Sequence, residues 1–134
     1  MGRPPTHLDS HHNVHRDRQA LPLFLELARS LQVPVRDQPP IRHLSRFYGQ
    51  WGGETHLEQL RPDTLLQLLD TELDEGITEL ACHPGYVDAA LGSGYAIERE
   101  AELDTLCHPM VRRGLDERAI RRINFSEVRD LLVS

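Results

Sequence analysis

Extended and helical signals alternate along this chain, and that alternation limits the folds open to it more than any other feature. Over residues 6–10, Thr6 and Leu8 sit two apart. An extended course there puts Leu8 on one face and His7, Asp9 and His11 on the other. Apolar residues at Leu21, Phe24, Leu25, Ala28 and Leu31 step by three and four, predicting an amphipathic helix over 21–31 with Pro22 in its first turn. Val33-Pro34-Val35-Arg36 reads as a short strand. The Pro39-Pro40 pair with Gly49, Gly52 and Gly53 predicts an irregular loop over about 37–56. A second helix is predicted over 62–75, with proline at its start and Gly76 just past its end. Residues 77–82 are then a strand running into His83-Pro84-Gly85. After a loop holding Gly85, Gly92 and Gly94, helices are predicted around 97–106 and 116–121. A brief strand at 123–125 and a last short helical turn capped by Ser126 complete the pattern.

This order argues for an α/β architecture with a parallel sheet. Three or four strands under one helical layer would leave an apolar sheet face and raw edges open. The pattern therefore predicts a partial structure with a tendency to form a homo-oligomer. An α/β barrel takes about 250 residues, and the 134 present correspond to part of one. Acidic residues outnumber basic ones 21 to 15, for a net charge of −6, which counts against nucleic acid as a partner. Every basic residue is arginine, so the chain offers no Schiff-base or P-loop lysine. No apolar run approaches the roughly 18 residues of a membrane span, and the two cysteines, Cys82 and Cys107, are too few for a disulfide scaffold. The expectation is a cytoplasmic protein with no membrane partner.

Chemistry concentrates in three places. Asp9-Ser10-His11-His12-Asn13-Val14-His15 falls where the first strand should end, the position at which parallel α/β folds gather functional residues. Imidazoles bind Zn²⁺ and similar ions, and a neighbouring carboxylate can ligate or orient them. The alternatives are histidines His11 and His15 placed i, i+4 on a helix face, or an incidental polar tail. His83, at the exit of the 77–82 strand, is either a general acid or base or a polar turn residue. Gly85 beside it is expected to supply backbone freedom. Arg36 either pairs with a catalytic carboxylate or substrate oxygen, or makes a surface ion pair with Asp37 or another acid. Cys82 reads as a small buried hydrophobe, and Tyr48 and Trp51 either stack on a sugar ring or anchor their loop by packing. A small metal nuclease built on the histidines is a weaker reading, opposed by the negative charge.

Taken together, Thr6-His7-Leu8-Asp9-Ser10-His11-His12-Asn13-Val14-His15, Val33-Pro34-Val35-Arg36, Cys82-His83-Pro84-Gly85-Tyr86-Val87-Asp88, Arg99-Glu100-Ala101-Glu102-Leu103 and Ile123-Asn124-Phe125-Ser126-Glu127-Val128-Arg129-Asp130 resemble the YdjC-like carbohydrate deacetylases. The resemblance runs over nearly the whole chain. It implies a partial distorted (β/α) barrel with parallel strands whose N-terminal strands are missing. It also implies an enzyme that removes N-acetyl groups from amino sugars or their oligosaccharides with one divalent metal ion, Mg²⁺ or Zn²⁺. By resemblance His11 is a metal ligand, Asp9 and His15 lie in or beside the ligand set, and His83 is the acid that protonates the leaving amine. Arg36 is a substrate-binding or supporting candidate. The family's Asp-Asp pair and a second metal-binding histidine do not occur in these residues, and Asn13 stands where the family has a third consecutive histidine. The resemblance thus implies a truncated deacetylase, or else a noncatalytic remnant or interaction module that keeps the half-barrel without the full metal site.

Overall fold

The structure, a computed structural model, describes residues 4–88, 90, 92 and 94–133. It is a mixed α/β structure that divides into two compact units, residues 1–42 with 122–134, and residues 43–121. None of its helices is long and apolar enough to cross a membrane.

In the first unit α1, Leu21–Leu31, occupies the span that its apolar spacing predicts. It stops at Gln32, whose left-handed backbone (φ 54°) returns its N–H to the carbonyls of Ala28 and Arg29. The chain then extends through Val33 and Val35. The strands expected at 6–10 and 33–36 contract to one parallel bridge, Leu8 with Val35: Leu8 N–H donates to Pro34 at 2.9 Å and Arg36 N–H to Leu8 at 2.9 Å. Pro5 and Pro34 lack the N–H groups a longer ladder would use. The strand expected at 123–125 does not form. Asn124 Oδ1 accepts the N–H groups of Ser126 (2.9 Å) and Glu127 (3.2 Å), and Glu127 Oε2 accepts that of Asn124 (3.0 Å). This reciprocal capping box starts α5, Phe125–Val133, and makes Asn124 the cap in place of Ser126. Ala28, Val33, Val35, Ile41 and Val128 are buried, and His7 stacks on Phe125 with ring centroids 4.0 Å apart.

The span expected as an irregular loop holds three short strands. In β1, Ile41–Leu44, the end residues are buried and the middle two more open, a pattern without the period of two that marks a strand in sequence, and the Pro39-Pro40 signal precedes it. It pairs with β4, Ile77–Leu80. Strands β2, Gln50–Trp51, and β3, Glu54–Thr55, form an antiparallel hairpin, and Gly52 and Gly53 supply the two positive φ angles of its turn. Helix α2, Pro62–Glu72, ends three residues short of its expected limit. Helix α3, Ile97–Leu106, matches expectation. Helix α4, Pro109–Glu117, begins earlier than the 116–121 stretch predicted, because His108 caps it, its ring accepting Met110 N–H at 3.2 Å, and Pro109 takes the first helical position. The core of the second unit is Leu44, Phe47, Leu60, Leu65, Leu69 and Val111, with Cys82 packed partly buried against it. Gly114 lets α4 lie close on α2, since a Cβ there would come within 2.5 Å of Leu66.

Candidate functional site

The sequence-predicted residues fall into two clusters, one in each unit. In the first, residues 11–16 form a short 3₁₀ segment broken by left-handed backbone at His12 (φ 52°) and Asn13 (φ 55°). His11 and His15 therefore do not share a helix face, and the i, i+4 reading fails. His11 and His12 are exposed, their rings edge-on with centroids 4.0 Å apart. His15 is fully buried. Ser10 Oγ accepts the His15 backbone N–H at 2.8 Å and meets the ring Nδ1 at 2.7 Å. Whichever ring nitrogen holds the proton, Nε2 is left buried without a hydrogen-bond partner.

Asp9 sits beside this ring, Oδ1 lying 3.7 Å from His15 Nδ1. Oδ1 also accepts Ser10 N–H at 2.7 Å, and Oδ2 accepts the Arg36 guanidinium at 2.9 Å. Burial by itself would raise the pKa of this carboxyl. The Arg36 and Ser10 hydrogen bonds outweigh it and hold Asp9 below its ordinary value. Asp9, His15 and Arg36 are thus brought together, and Asp37 receives Arg16 at 2.5 Å.

These donors offer an ion part of a coordination set. Among the described residues no three His, Cys, Asp or Glu side chains converge as a metal site requires, and a catalytic ion typically takes about three protein ligands. Both oxygens of Asp9 are already engaged. The remaining capacity is the exposed imidazoles of His11 and His12 and the orphaned Nε2 of His15.

The second cluster surrounds His83. Three alternate N–H groups of the segment 83–87 are bonded to α3 and its side chains: His83 to Glu102 Oε2, Gly85 to the Arg99 carbonyl at 3.1 Å, and Val87 to Glu100 Oε1 at 2.8 Å. The His83 residue is exposed, and its ring stands edge-on to Tyr48 and Tyr95, with centroids 6.4 and 5.9 Å away. Tyr48 and Tyr95 stack on each other, 4.8 Å apart and within 1° of parallel. The Tyr95 hydroxyl donates to Glu102 Oε1 and accepts Gly49 N–H at 3.2 Å. Burial, then the hydrogen bond to Glu102, pushes the Tyr95 phenol far above its ordinary pKa, so it stays a donor. Gly85 is not in the left-handed region, which corrects the expectation of backbone freedom. What it provides is room, because a Cβ there would come within 2.7 Å of the Arg99 guanidinium. Trp51, half-exposed, stacks on His56 at 3.7 Å.

Sequence reasoning passed over Glu98, Glu102 and Tyr95 as functional groups. Glu98 and Glu102 are buried on α3, and Glu98 accepts from Thr55 (2.5 Å), Ala96 N–H (3.0 Å) and Gln50 (3.3 Å). Burial would raise the Glu98 pKa, but these hydrogen bonds hold it below the usual value. The signal lay in the helix period. Glu98, Ala101, Glu102 and Thr105 line the inner stripe of α3, polar where an apolar stripe is expected.

Residues 1–117 match the family of YdjC-like proteins. The carbohydrate deacetylase of Clostridium beijerinckii is 31% identical over 96% of this chain and 55% of its own length. The chitooligosaccharide deacetylase of Yersinia pestis is 34% identical over 93% of this chain and 53% of its own length. A candidate cellobiose-phosphate cleavage protein from Enterococcus faecalis, known from a crystal structure, superposes with a TM-score of 0.74 at 32% identity, covering 94% of this chain and 54% of that one. The chain spans about half the length of the curated relatives it matches.

Proposed function

The chain belongs to the YdjC-like family, and from that membership we propose that it forms part of a metal-dependent carbohydrate deacetylase that removes N-acetyl groups from amino sugars or their oligosaccharides. The whole enzyme takes the distorted (β/α) barrel as its frame. His11 contributes one ligand to a divalent ion, Mg²⁺ or Zn²⁺. Asp9 and His15 support that ligand, and Arg36 holds Asp9 ionised. Such an ion polarises a carbonyl and lowers the pKa of bound water.

The observation that carries the reading is the presentation of His83. Its residue is exposed, its ring meets a stacked pair of tyrosines edge-on, and its backbone is fixed to a buried carboxylate. A ring nitrogen of an imidazole can carry a proton, so His83 can pass one to the amine nitrogen as the acetamide C–N bond breaks. Water supplies the hydroxyl that ends on the acetyl carbon, and the products are acetate and the free amino sugar. The exposed aromatic rings nearby offer stacking surfaces for an acetylated sugar.

A second reading, the noncatalytic remnant, is favoured by one observation: both oxygens of Asp9 are already engaged, by Ser10 and Arg36. Calorimetric titration of the purified chain with Zn²⁺, alongside His11→Ala, separates the two. Tight binding abolished by the substitution, with sizing chromatography showing whether copies join to complete the set, supports the enzyme. Acetate release from N-acetylglucosamine oligomers, lost in His83→Ala, then assigns the acid. Weak binding indifferent to His11 leaves the remnant.

A further inference from the structure

Glu102 is fully buried, a setting carboxylates avoid unless their oxygens are partnered. Its partners all belong to the surroundings of His83. Oε2 accepts the His83 backbone N–H, and Oε1 accepts the Tyr95 hydroxyl. Tyr95 in turn takes Gly49 N–H and lies flat on Tyr48, so the same carboxylate secures the stacked pair that the imidazole meets edge-on. Stability alone gives a weak account of the charge. Desolvating a carboxylate costs several kcal/mol, and an apolar residue on the inner face of α3 would avoid that penalty.

We propose, on the reading of His83 as the acid that protonates the leaving amine, that Glu102 is its positioning residue, with Tyr95 as the second arm. Glu102 does not touch substrate. It fixes the main chain of His83 from one side and the aromatic wall beside its ring from the other, so that the exposed imidazole meets the amine in one orientation. Because Tyr95 keeps its proton, this second arm does not release as pH rises through the working range.

The test is NMR of the ¹⁵N-labelled chain with Glu102→Gln, Tyr95→Phe and Glu98→Gln. An N–H bonded to a carboxylate resonates at low field, reflecting a charge-assisted hydrogen bond. In Glu102→Gln the His83 amide moves to higher field and its ring protons leave the positions set by the two tyrosine rings. In Tyr95→Phe the amide stays and the ring protons move. Glu98→Gln, a buried carboxylate lost from the same helix without contact to His83, moves neither. Should Glu102→Gln fail to fold, the Tyr95→Phe pattern decides alone. His83 signals unmoved in the folded variants overturn the proposal.

Kinetics separate this proposal from the function it rests on. Misplacement of a reacting group by about 1 Å costs up to about 10²-fold, so Glu102→Gln should lower kcat on N-acetylglucosamine oligomers by about 10- to 10²-fold with KM nearly unchanged. Loss of acetate release in His83→Ala together with full kcat in Glu102→Gln refutes the positioning role and leaves His83 as the acid. Full activity in His83→Ala refutes the acid role, and the positioning role with it.

Discussion

Replacing Glu98 by glutamine tests the polar inner face of α3 directly. The wild-type carboxylate accepts hydrogen bonds from Thr55, Ala96 and Gln50. Hydrogen bonds to a charged group contribute about 1.5–3 kcal/mol each, but these donors differ in what they lose. Gln50 also donates to Gly94 at 2.7 Å, and the Thr55 hydroxyl can turn to accept from the new amide. The Ala96 N–H keeps a neutral acceptor. The net loss is then about 1–2 kcal/mol, which for a unit of this size lowers the melting midpoint by about 4–16 °C. Trp51 is the only tryptophan and lies in the same unit, so its fluorescence reports this transition. The pH dependence follows from the depressed folded pKa of Glu98. A carboxyl whose pKa is lower folded than unfolded stabilises fully above its unfolded value, near 4.3, and loses that stabilisation as pH falls through the folded value. The gap between wild type and Glu98→Gln should therefore be full at pH 7 and shrink below about pH 4. A gap that is the same at pH 7 and at pH 3.5 would refute the claim that Glu98 is held ionised by its neighbours.

Leu65→Ala, in the core of the second unit, should cost about 3–5 kcal/mol in urea unfolding followed by Trp51, whereas Leu23→Ala, on an open face of α1, should stay within about 0.5 kcal/mol. Asn124→Ala removes the cap of α5 and should cost about 1 kcal/mol, read as increased hydrogen exchange at the amides of Ser126 and Glu127. Arg36→Ala should bring the Asp9 pKa back up toward its ordinary value, seen in a ¹³C-carboxyl titration. The partly exposed pair should contribute less than about 1 kcal/mol, screened by salt. An unmoved Asp9 titration would show that Ser10 alone sets its charge.

Helices were legible where one face carried an unbroken apolar rhythm or a clear terminal signal. The spacing of Leu21, Phe24, Leu25, Ala28 and Leu31 gave α1 within its limits, and Pro62 marked the start of α2. Short extended pieces were not legible. Ile41–Leu44 pairs only through contacts distant in sequence, and the prolines before it carry the stronger local message. At 123–125 β-favouring residues lost to the cap formed by Asn124 and Glu127, whose energy is local and needs no partner strand. The approach of Arg36 to Asp9 was open to expectation because opposite charges sat at two predicted strand ends. The turn at His12 and Asn13 was not, since the positive φ there accompanies hydrogen bonds that close Ser10 onto His15 five residues later. Glu102 was missed for a related reason. Glutamates four apart on a helix ordinarily face water, so the helix period groups Glu98 with Ala101, Glu102 and Thr105 on one face, while the inward turn of that face comes from tertiary packing.

The attachment of the segment 83–87 to α3 divides labour along the chain. The amides of His83, Gly85 and Val87 do the holding, and main-chain amides are the same whatever side chain they carry. Pro84 and Tyr86, between them, are exposed and make no part of the grip, Tyr86 being 82% open. Relatives can therefore exchange the side chains this segment displays without loosening its seat. Variation at 84 and 86 should leave the segment in place, whereas variation at 100 and 102 should track whether it is seated at all.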